Sequence, residues 1–118
     1  MASLQGKVAV VTGVSHEGQV GQVVAKALAD SGAALAICAR TQANVDARAA
    51  ELRQGGARVL GIAGSLTDES AVQQLVERVL KEYGRIDVLI NLAGGLTRYK
   101  PAVDTTLEDW TSEINNNL

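Results

Sequence analysis

Four short aliphatic runs alternate along the chain with segments of helical periodicity, and this alternation constrains the fold more than any other feature of the sequence. The runs are residues 7–12 (KVAVVT), 34–39 (ALAICA), 58–63 (RVLGIA) and 85–91 (RIDVLIN). Their apolar residues are mostly continuous rather than alternating, which is typical of strands that are covered by helices on both faces. We therefore predict four parallel strands.

The segments between these runs carry the apolar spacing of three and four residues that is typical of amphipathic helices. The first has Val20, Val23, Val24, Ala27 and Leu28 on one face, and the third has Val72, Leu75, Val76, Val79 and Tyr83. A middle helix is predicted over 42–54, and a last one begins near Thr106, where Thr106 and Asp109 have the spacing of a capping box. Strands joined through right-handed helical crossovers predict an α/β, Rossmann-like doubly wound parallel sheet with strand order 3-2-1-4.

The composition argues against several classes of protein and site. The net charge is only −2, Phe is absent and aromatic residues make up 3%, so a nucleic-acid surface built on base stacking is not expected. One cysteine, Cys38, and one histidine cannot form an internal disulfide or a structural zinc site. No apolar run approaches the roughly 18 residues of a membrane span. We expect a soluble, cytoplasmic protein that binds neither nucleic acid nor membrane.

A glycine-containing loop, residues 12–21 (TGVSHEGQVG), connects the first strand directly to the first helix. Glycines at this point allow a sharp turn and a close approach of the backbone to a diphosphate, while unpaired N–H groups at the helix start face the phosphate charge. The alternative is an ordinary glycine-containing turn between a strand and a helix. Because strand, loop and helix follow in order, we predict that the loop binds a dinucleotide through Gly13, Ser15, Gly18, Val20 and Gly21.

The choice of cofactor depends on the residue that follows the second strand. An Asp or Glu in this region would hydrogen-bond the 2′-hydroxyl of NAD, but no acidic residue lies between Asp30 and Asp46. Arg40 lies there instead, where a guanidinium can pair with a 2′-phosphate and stack on adenine. We therefore predict NADP(H) as the cofactor; the alternative is a solvated arginine at a strand end.

Three further segments, together with the glycine loop, resemble the short-chain dehydrogenase/reductase family over essentially the whole chain. These are Ser65-Leu66-Thr67-Asp68 after the third strand, Asn91-Leu92-Ala93-Gly94 at the end of the fourth, and Trp110 followed seven residues later by Asn117. The sequence is most similar to bacterial 3-oxoacyl-[acyl-carrier-protein] reductases. Its longer glycine loop instead resembles the enoyl-[acyl-carrier-protein] reductase branch, and that alternative stays open.

The resemblance implies roles for these residues. Ser65 and Leu66 would contact adenine, whereas Asn91, Ala93 and Gly94 would let the nicotinamide ribose come close; Asn117 would be the active-site asparagine. Ser65 replaces an Asp that is usual in the family, so the adenine contact would be weakened or would rest on the backbone at Leu66. Leu92 replaces an Asn that helps to tie the centre of the sheet.

The family's catalytic Tyr-x-x-x-Lys motif is missing from these 118 residues. Tyr83 is followed four residues later by Asp87, and Tyr99 by Val103. We therefore expect the cofactor-binding half of an oxidoreductase, truncated after the fourth strand and the following helix and inactive by itself, whose complete form acts on a small-molecule carbonyl or hydroxyl substrate. A non-catalytic nucleotide-binding or regulatory module is the alternative.

The predicted strand order leaves the fourth strand at an edge of the sheet, although its apolar residues are typical of an interior strand. Unpaired backbone groups on an apolar edge favour pairing with another chain. We expect a homo-oligomer, or pairing with a missing C-terminal half.

Overall fold

The computed structural model describes residues 3–95 and 99–117. The strands are β1 (Val8–Thr12), β2 (Ala34–Ala39), β3 (Val59–Ala63) and β4 (Val88–Ile90). The helices are α1 (Val20–Asp30), α2 (Gln42–Gln54), α3 (Glu69–Tyr83) and α4 (Leu107–Asn117), and a 3-10 turn over Ala102–Asp104 precedes α4. The strands are parallel in the order β3-β2-β1-β4, which confirms the predicted doubly wound α/β fold.

The sheet separates two apolar layers, because successive side chains of a strand point to opposite faces. One layer packs β1 and β2 against α1 and α2 and includes Val11, Leu35, Ile37, Ala25 and Val45. The other packs the same strands against α3 and includes Val10, Ala36, Cys38, Leu75 and Val79. All five residues of β1 are buried, as the continuous apolar runs predicted.

Strand β4 is shorter than the predicted 85–91, and a side chain binds backbone N–H groups at each of its ends. Before the strand, a carboxylate oxygen of Asp87 accepts a hydrogen bond from the Val8 N–H at 2.9 Å. Arg85, which pairs with Asp87 at 2.7 Å, and the Val8 N–H together lower the pKa of this carboxyl. After the strand, the backbone N–H groups donate to a threonine side chain of β1, described below.

Side chains cap the start of two helices, α3 and α4. In α4 the Thr106 N–H donates to the Asp109 carboxylate at 3.0 Å and the Asp109 N–H donates to the Thr106 hydroxyl at 3.2 Å, which confirms the capping box. At α3 the cap is Asp68, whose carboxylate accepts from the Ser70 N–H at 3.0 Å. None of the helices in the described ranges combines the length and apolar character needed to cross a bilayer.

Candidate cofactor site

The carboxyl ends of all four strands meet at one edge of the sheet, and the loops that follow them carry every predicted site residue except Asn117 and those at the start of α1. Backbone hydrogen bonds hold these loops side by side. The Val14 N–H donates to the Cys38 carbonyl at 3.0 Å, and the Gly64 N–H donates to the Ala39 carbonyl at 3.0 Å. Ligands of open α/β sheets bind in the crevice at this edge.

Gly13 lies where the loop after β1 crosses the loop after β4. Its φ is +77°, and a Cβ atom built there would lie 2.7 Å from the backbone nitrogen of Ala93. A Cβ built on Gly21 would overlap the carbonyl oxygen of Gly13, so that glycine lets the first turn of α1 lie directly on the loop. Two of the predicted glycines are therefore required by close backbone contacts, quite apart from any ligand.

The positive end of α1 has neither a capping side chain nor a carboxylate. Gln19, the N-cap residue, makes no side-chain cap hydrogen bond, and the first turn contains no acidic residue. Helix α3 differs, since Asp68 caps it and Glu69 lies in its first turn. The first N–H groups of a helix have no intrahelical partner and carry a positive partial charge. In α1 that charge is left without an anionic side chain.

Ser15 belongs to the loop that precedes this helix start, and Arg40 belongs to the loop after β2. The Ser15 hydroxyl accepts a hydrogen bond from the Asn44 side chain of α2 at 3.2 Å, so the loop is attached to the second helix as well as to the sheet. Arg40 directly follows β2 and is exposed, and within residues 3–95 and 99–117 no carboxylate pairs with its guanidinium. Arg40 is therefore available to an anionic ligand.

Cys38 lies beneath the same loop and is buried among apolar residues. Burial raises the pKa of its thiol, while a backbone hydrogen bond from Gly13 opposes the increase. The thiol therefore stays protonated at neutral pH and packs as a small apolar group.

Ser65 and Leu66 form the turn that leads into α3. The Ser65 hydroxyl lies 2.7 Å from the hydroxyl of Thr67 and accepts from the Thr67 N–H at 3.3 Å. Leu66 is exposed at the mouth of the site. The Ser65 side chain thus shapes the turn, and the exposed surface here consists of the Leu66 side chain and backbone.

The loop after β4 is fixed from two directions. From β1, the buried hydroxyl of Thr12 accepts from the N–H groups of Leu92 and Ala93 at 3.0 and 3.1 Å. From α4, the Asn117 side chain accepts from the Gly95 N–H at 2.9 Å and donates to the Gly95 carbonyl at 3.1 Å. Gly94 lies between these two attachments and Asn91 directly precedes the first of them, and Asn91, Ala93 and Gly94 are all exposed.

Asn117 is thus brought to the candidate site, next to Gly94. A Cβ atom on Gly94 would lie 2.7 Å from the Asn117 side-chain oxygen. The Asn117 amide also donates to the Glu113 carbonyl one turn earlier, at 2.8 Å. Its hydrogen-bonding groups are used to attach the end of α4 to the loop after β4.

Sequence reasoning missed four residues that shape this site: Thr12, Gln22, Asn44 and Glu51. For Thr12 the available signal was a polar residue that closes an otherwise apolar strand. For the α2 residues it was the spacing of Asn44, Arg48 and Glu51, which places three polar side chains on one helix face. Gln22 carried no signal in the sequence, because its partners, the Gly18 N–H and the Glu51 carboxylate, come from the glycine loop and from α2.

Comparisons with known proteins agree with this geometry. Residues 7–118 match the family model described as short chain dehydrogenase. The chain is 37% identical over 115 residues to a D-threitol dehydrogenase of Mycolicibacterium smegmatis, covering 98% of this chain and 43% of the relative. It is 34% identical over 119 residues to a 3-oxoacyl-[acyl-carrier-protein] reductase of Synechocystis, covering 100% of this chain and 47% of the relative.

Solved structures show the same similarity. A short chain dehydrogenase from Mycobacterium smegmatis superposes with a TM-score of 0.91 at 30% identity, covering 100% of this chain and 48% of that one. A dehydrogenase/reductase from Sinorhizobium meliloti superposes with a TM-score of 0.87 at 33% identity, covering 98% of this chain and 45% of that one. The chain thus spans somewhat less than half the length of each of these four proteins. With this match, and with a parallel sheet whose glycine loop lies at the start of α1, the chain belongs to the short-chain dehydrogenase family.

Proposed function

We propose that this chain is the NADP(H)-binding half of an oxidoreductase that transfers hydride between a nicotinamide and a carbonyl or hydroxyl carbon of a small molecule. The observation that carries the proposal is the start of α1, where close-packed glycines bring the loop backbone against a helix end that lacks any capping or acidic side chain. Relatives about twice as long carry out the reactions after which they are named, so the activity proposed here is that of a complete protein.

The residues present fit the diphosphate of such a cofactor. The backbone N–H groups of Val20 and Gly21, in the first turn of α1, would hold it together with the helix dipole. Gly13 and Gly18 add no side chain on the ligand's side of the loop. Because the first turn contains no carboxylate, nothing there repels the phosphate charge.

Arg40 supports the preference for the 2′-phosphorylated cofactor. Its guanidinium is exposed directly after β2, and the loop beside it is held to β2 by the hydrogen bond from Val14. An NAD-specific site would favour an acidic residue in this region, and the segment between Asp30 and Asp46 contains none.

The remaining loops would hold the other parts of the cofactor. The exposed turn at Ser65 and Leu66 would contact the adenine, and the small residues Ala93 and Gly94, next to Asn91, would accommodate the nicotinamide ribose. When bound, the nicotinamide supplies or accepts the hydride. Asn117, through its two hydrogen bonds to Gly95, would keep this loop in place below the ribose.

The test compares the binding of NADPH and NADH to the protein by isothermal titration calorimetry. We expect wild type to prefer NADPH and Arg40→Glu to lose that preference by roughly tenfold or more, because a charge-assisted hydrogen bond contributes about 1.5–3 kcal/mol. Arg78→Glu, which makes the same charge change at an exposed position of α3, should keep the preference. An undiminished preference for NADPH in Arg40→Glu would remove the assignment of Arg40.

A further inference from the structure

A series of side-chain hydrogen bonds connects the glycine loop to helix α2. The Gly18 N–H donates to the side-chain oxygen of Gln22 at 2.5 Å. The nitrogen of the same amide donates to one carboxylate oxygen of Glu51 at 2.6 Å. The other carboxylate oxygen accepts from the Arg48 guanidinium at 2.6 Å. We call Gln22, Glu51 and Arg48 the loop relay.

The chemistry of the relay requires a carboxylate at position 51. Both partners of Glu51 are donors, so each of its two oxygens must accept a hydrogen bond. A glutamine there would offer one oxygen and one NH2 group, and the NH2 group would face a donor. Glu51→Gln therefore breaks one link of the relay while hardly changing the size of the side chain.

Arg48 compensates the charge of Glu51 near the place proposed for the diphosphate. The Arg48 side chain is 13% exposed, and its Nε is a buried donor without a hydrogen-bond partner within the described residues. Such a guanidinium is held in place mainly by its ion pair. The pair keeps the Glu51 carboxylate from acting as an isolated negative charge beside the loop.

Gln22 occupies the third position of α1, and Gly18 lies just before the N-cap residue Gln19. The hydrogen bond between them closes the end of the loop onto the first helical turn. It does so without using the N–H groups of Val20 and Gly21. The loop is thereby held while the amides that would face a phosphate stay available.

We propose that Gln22, held by Glu51 and Arg48, is a positioning residue that fixes the glycine loop in the conformation that binds the diphosphate. This inference rests on the proposed function. Since both NADPH and NADH contain the diphosphate, loss of the relay weakens the binding of both cofactors by the same factor. Arg40 differs, because its variant changes the ratio of the two affinities.

The experiment is an NMR titration of the 15N-labelled protein with NADPH and, separately, with NADH. The variants are Gln22→Leu, Glu51→Gln and the double variant, with Glu77→Gln as the control, because it makes the same change at an exposed position of α3. We expect each single variant to raise both dissociation constants by about three- to tenfold, as for the loss of preorganisation in a loop. We also expect faster hydrogen exchange of the Gly18 amide in both single variants. The double variant should bind no more weakly than Gln22→Leu alone, because the two residues act in series.

Several results would contradict the inference. Unchanged affinities in a Glu51→Gln protein whose Gly18 amide exchanges faster would show that the relay does not position the loop for binding. Additive losses in the double variant, or a change in the ratio of NADPH to NADH affinity, would show that the residues act separately. If NADPH changes no NMR chemical shift of the wild-type protein, both the proposed function and the role of Gln22 in binding are overturned. The other results contradict only the role of Gln22, so the two failures can be distinguished.

Discussion

Single atoms decide the geometry at the carboxyl end of β1. The hydroxyl oxygen of Thr12 accepts hydrogen bonds from two backbone N–H groups of the loop after β4. Gly13, the next residue, lies against the same loop. The sharp turn at Gly13 was predicted from the sequence, because a turn after a strand leaves a local signal, and the φ of +77° agrees with it. The role of Thr12 was not predicted, because its partners lie 80 and 81 residues further along the chain.

The contact at Gly13 predicts a large loss of stability for Gly13→Ala. The left-handed φ of +77° costs an L-residue about 1–2 kcal/mol. The overlap with Ala93 adds about 1–3 kcal/mol more, since backbone atoms cannot move aside as a side chain can. The measurement is the free energy of unfolding in urea.

Gly18→Ala is the matched control for this prediction. Gly18 has the same φ of +77°, but a Cβ atom built there meets nothing within 4 Å. The Gly18→Ala variant should therefore lose only the stability that the left-handed backbone conformation costs, about 1–2 kcal/mol. Equal losses in the two alanine variants would contradict the close contact between the two loops.

At the scale of elements, helix ends were easier to predict than strand ends. The capping box of α4 lies within four consecutive residues, so its sequence pattern was sufficient. At the ends of β4, Asp87 and Thr12 form side-chain hydrogen bonds to residues about 80 positions away, which no local pattern indicates. Trp110, in the first turns of α4, is 61% exposed, so this helix does not bury its tryptophan against the described part of the chain.

The capping box predicts an acid-sensitive contribution to stability. Lys100, at 2.6 Å, and the Thr106 N–H lower the pKa of Asp109 from 3.8 to about 2. A lowered pKa in the folded state means that the ionised carboxylate stabilises the fold at pH above about 4. That contribution is lost as the pH falls from about 4 towards 2.

Unfolding free energies of wild type and Asp109→Asn, measured between pH 5 and pH 2, test this. We expect wild type to be the more stable at pH 5 and the difference to shrink as the pH falls. Asn keeps an acceptor for the Thr106 N–H and removes the charge that pairs with Lys100. Asp87, whose pKa is also lowered, is present in both proteins and cancels. A difference that does not change with pH would refute the assigned ion pair.

At the scale of the whole molecule, β4 is one of the two edge strands of the sheet, with β3 at the opposite edge. Strand β4 pairs with β1, and no other strand in the described part of the chain pairs with it. Leu89 of β4 is 59% exposed. An apolar edge with free backbone groups favours pairing with another chain.

We therefore predict that the protein self-associates when no other polypeptide is present. Leu89→Lys should raise the monomer fraction, because a charge on an edge strand opposes pairing. Val103→Lys introduces the same charge at a residue that is 92% exposed and away from the strand, and it should have little effect. Light scattering over a range of concentrations measures the outcome. A wild-type protein that stays monomeric and does not aggregate would contradict the prediction.

The sequence by itself determined the parallel sheet, its strand order, the position of the glycine loop and the family, because these depend on periodicity and on short local motifs. Only the tertiary structure decided how the loops are held together, from Thr12 to the loop after β4 and from Gly18 through Gln22 to Glu51. The physical reason is that a polar side chain takes whichever partner the fold brings within about 3 Å. For these residues that partner belongs to an element distant in sequence.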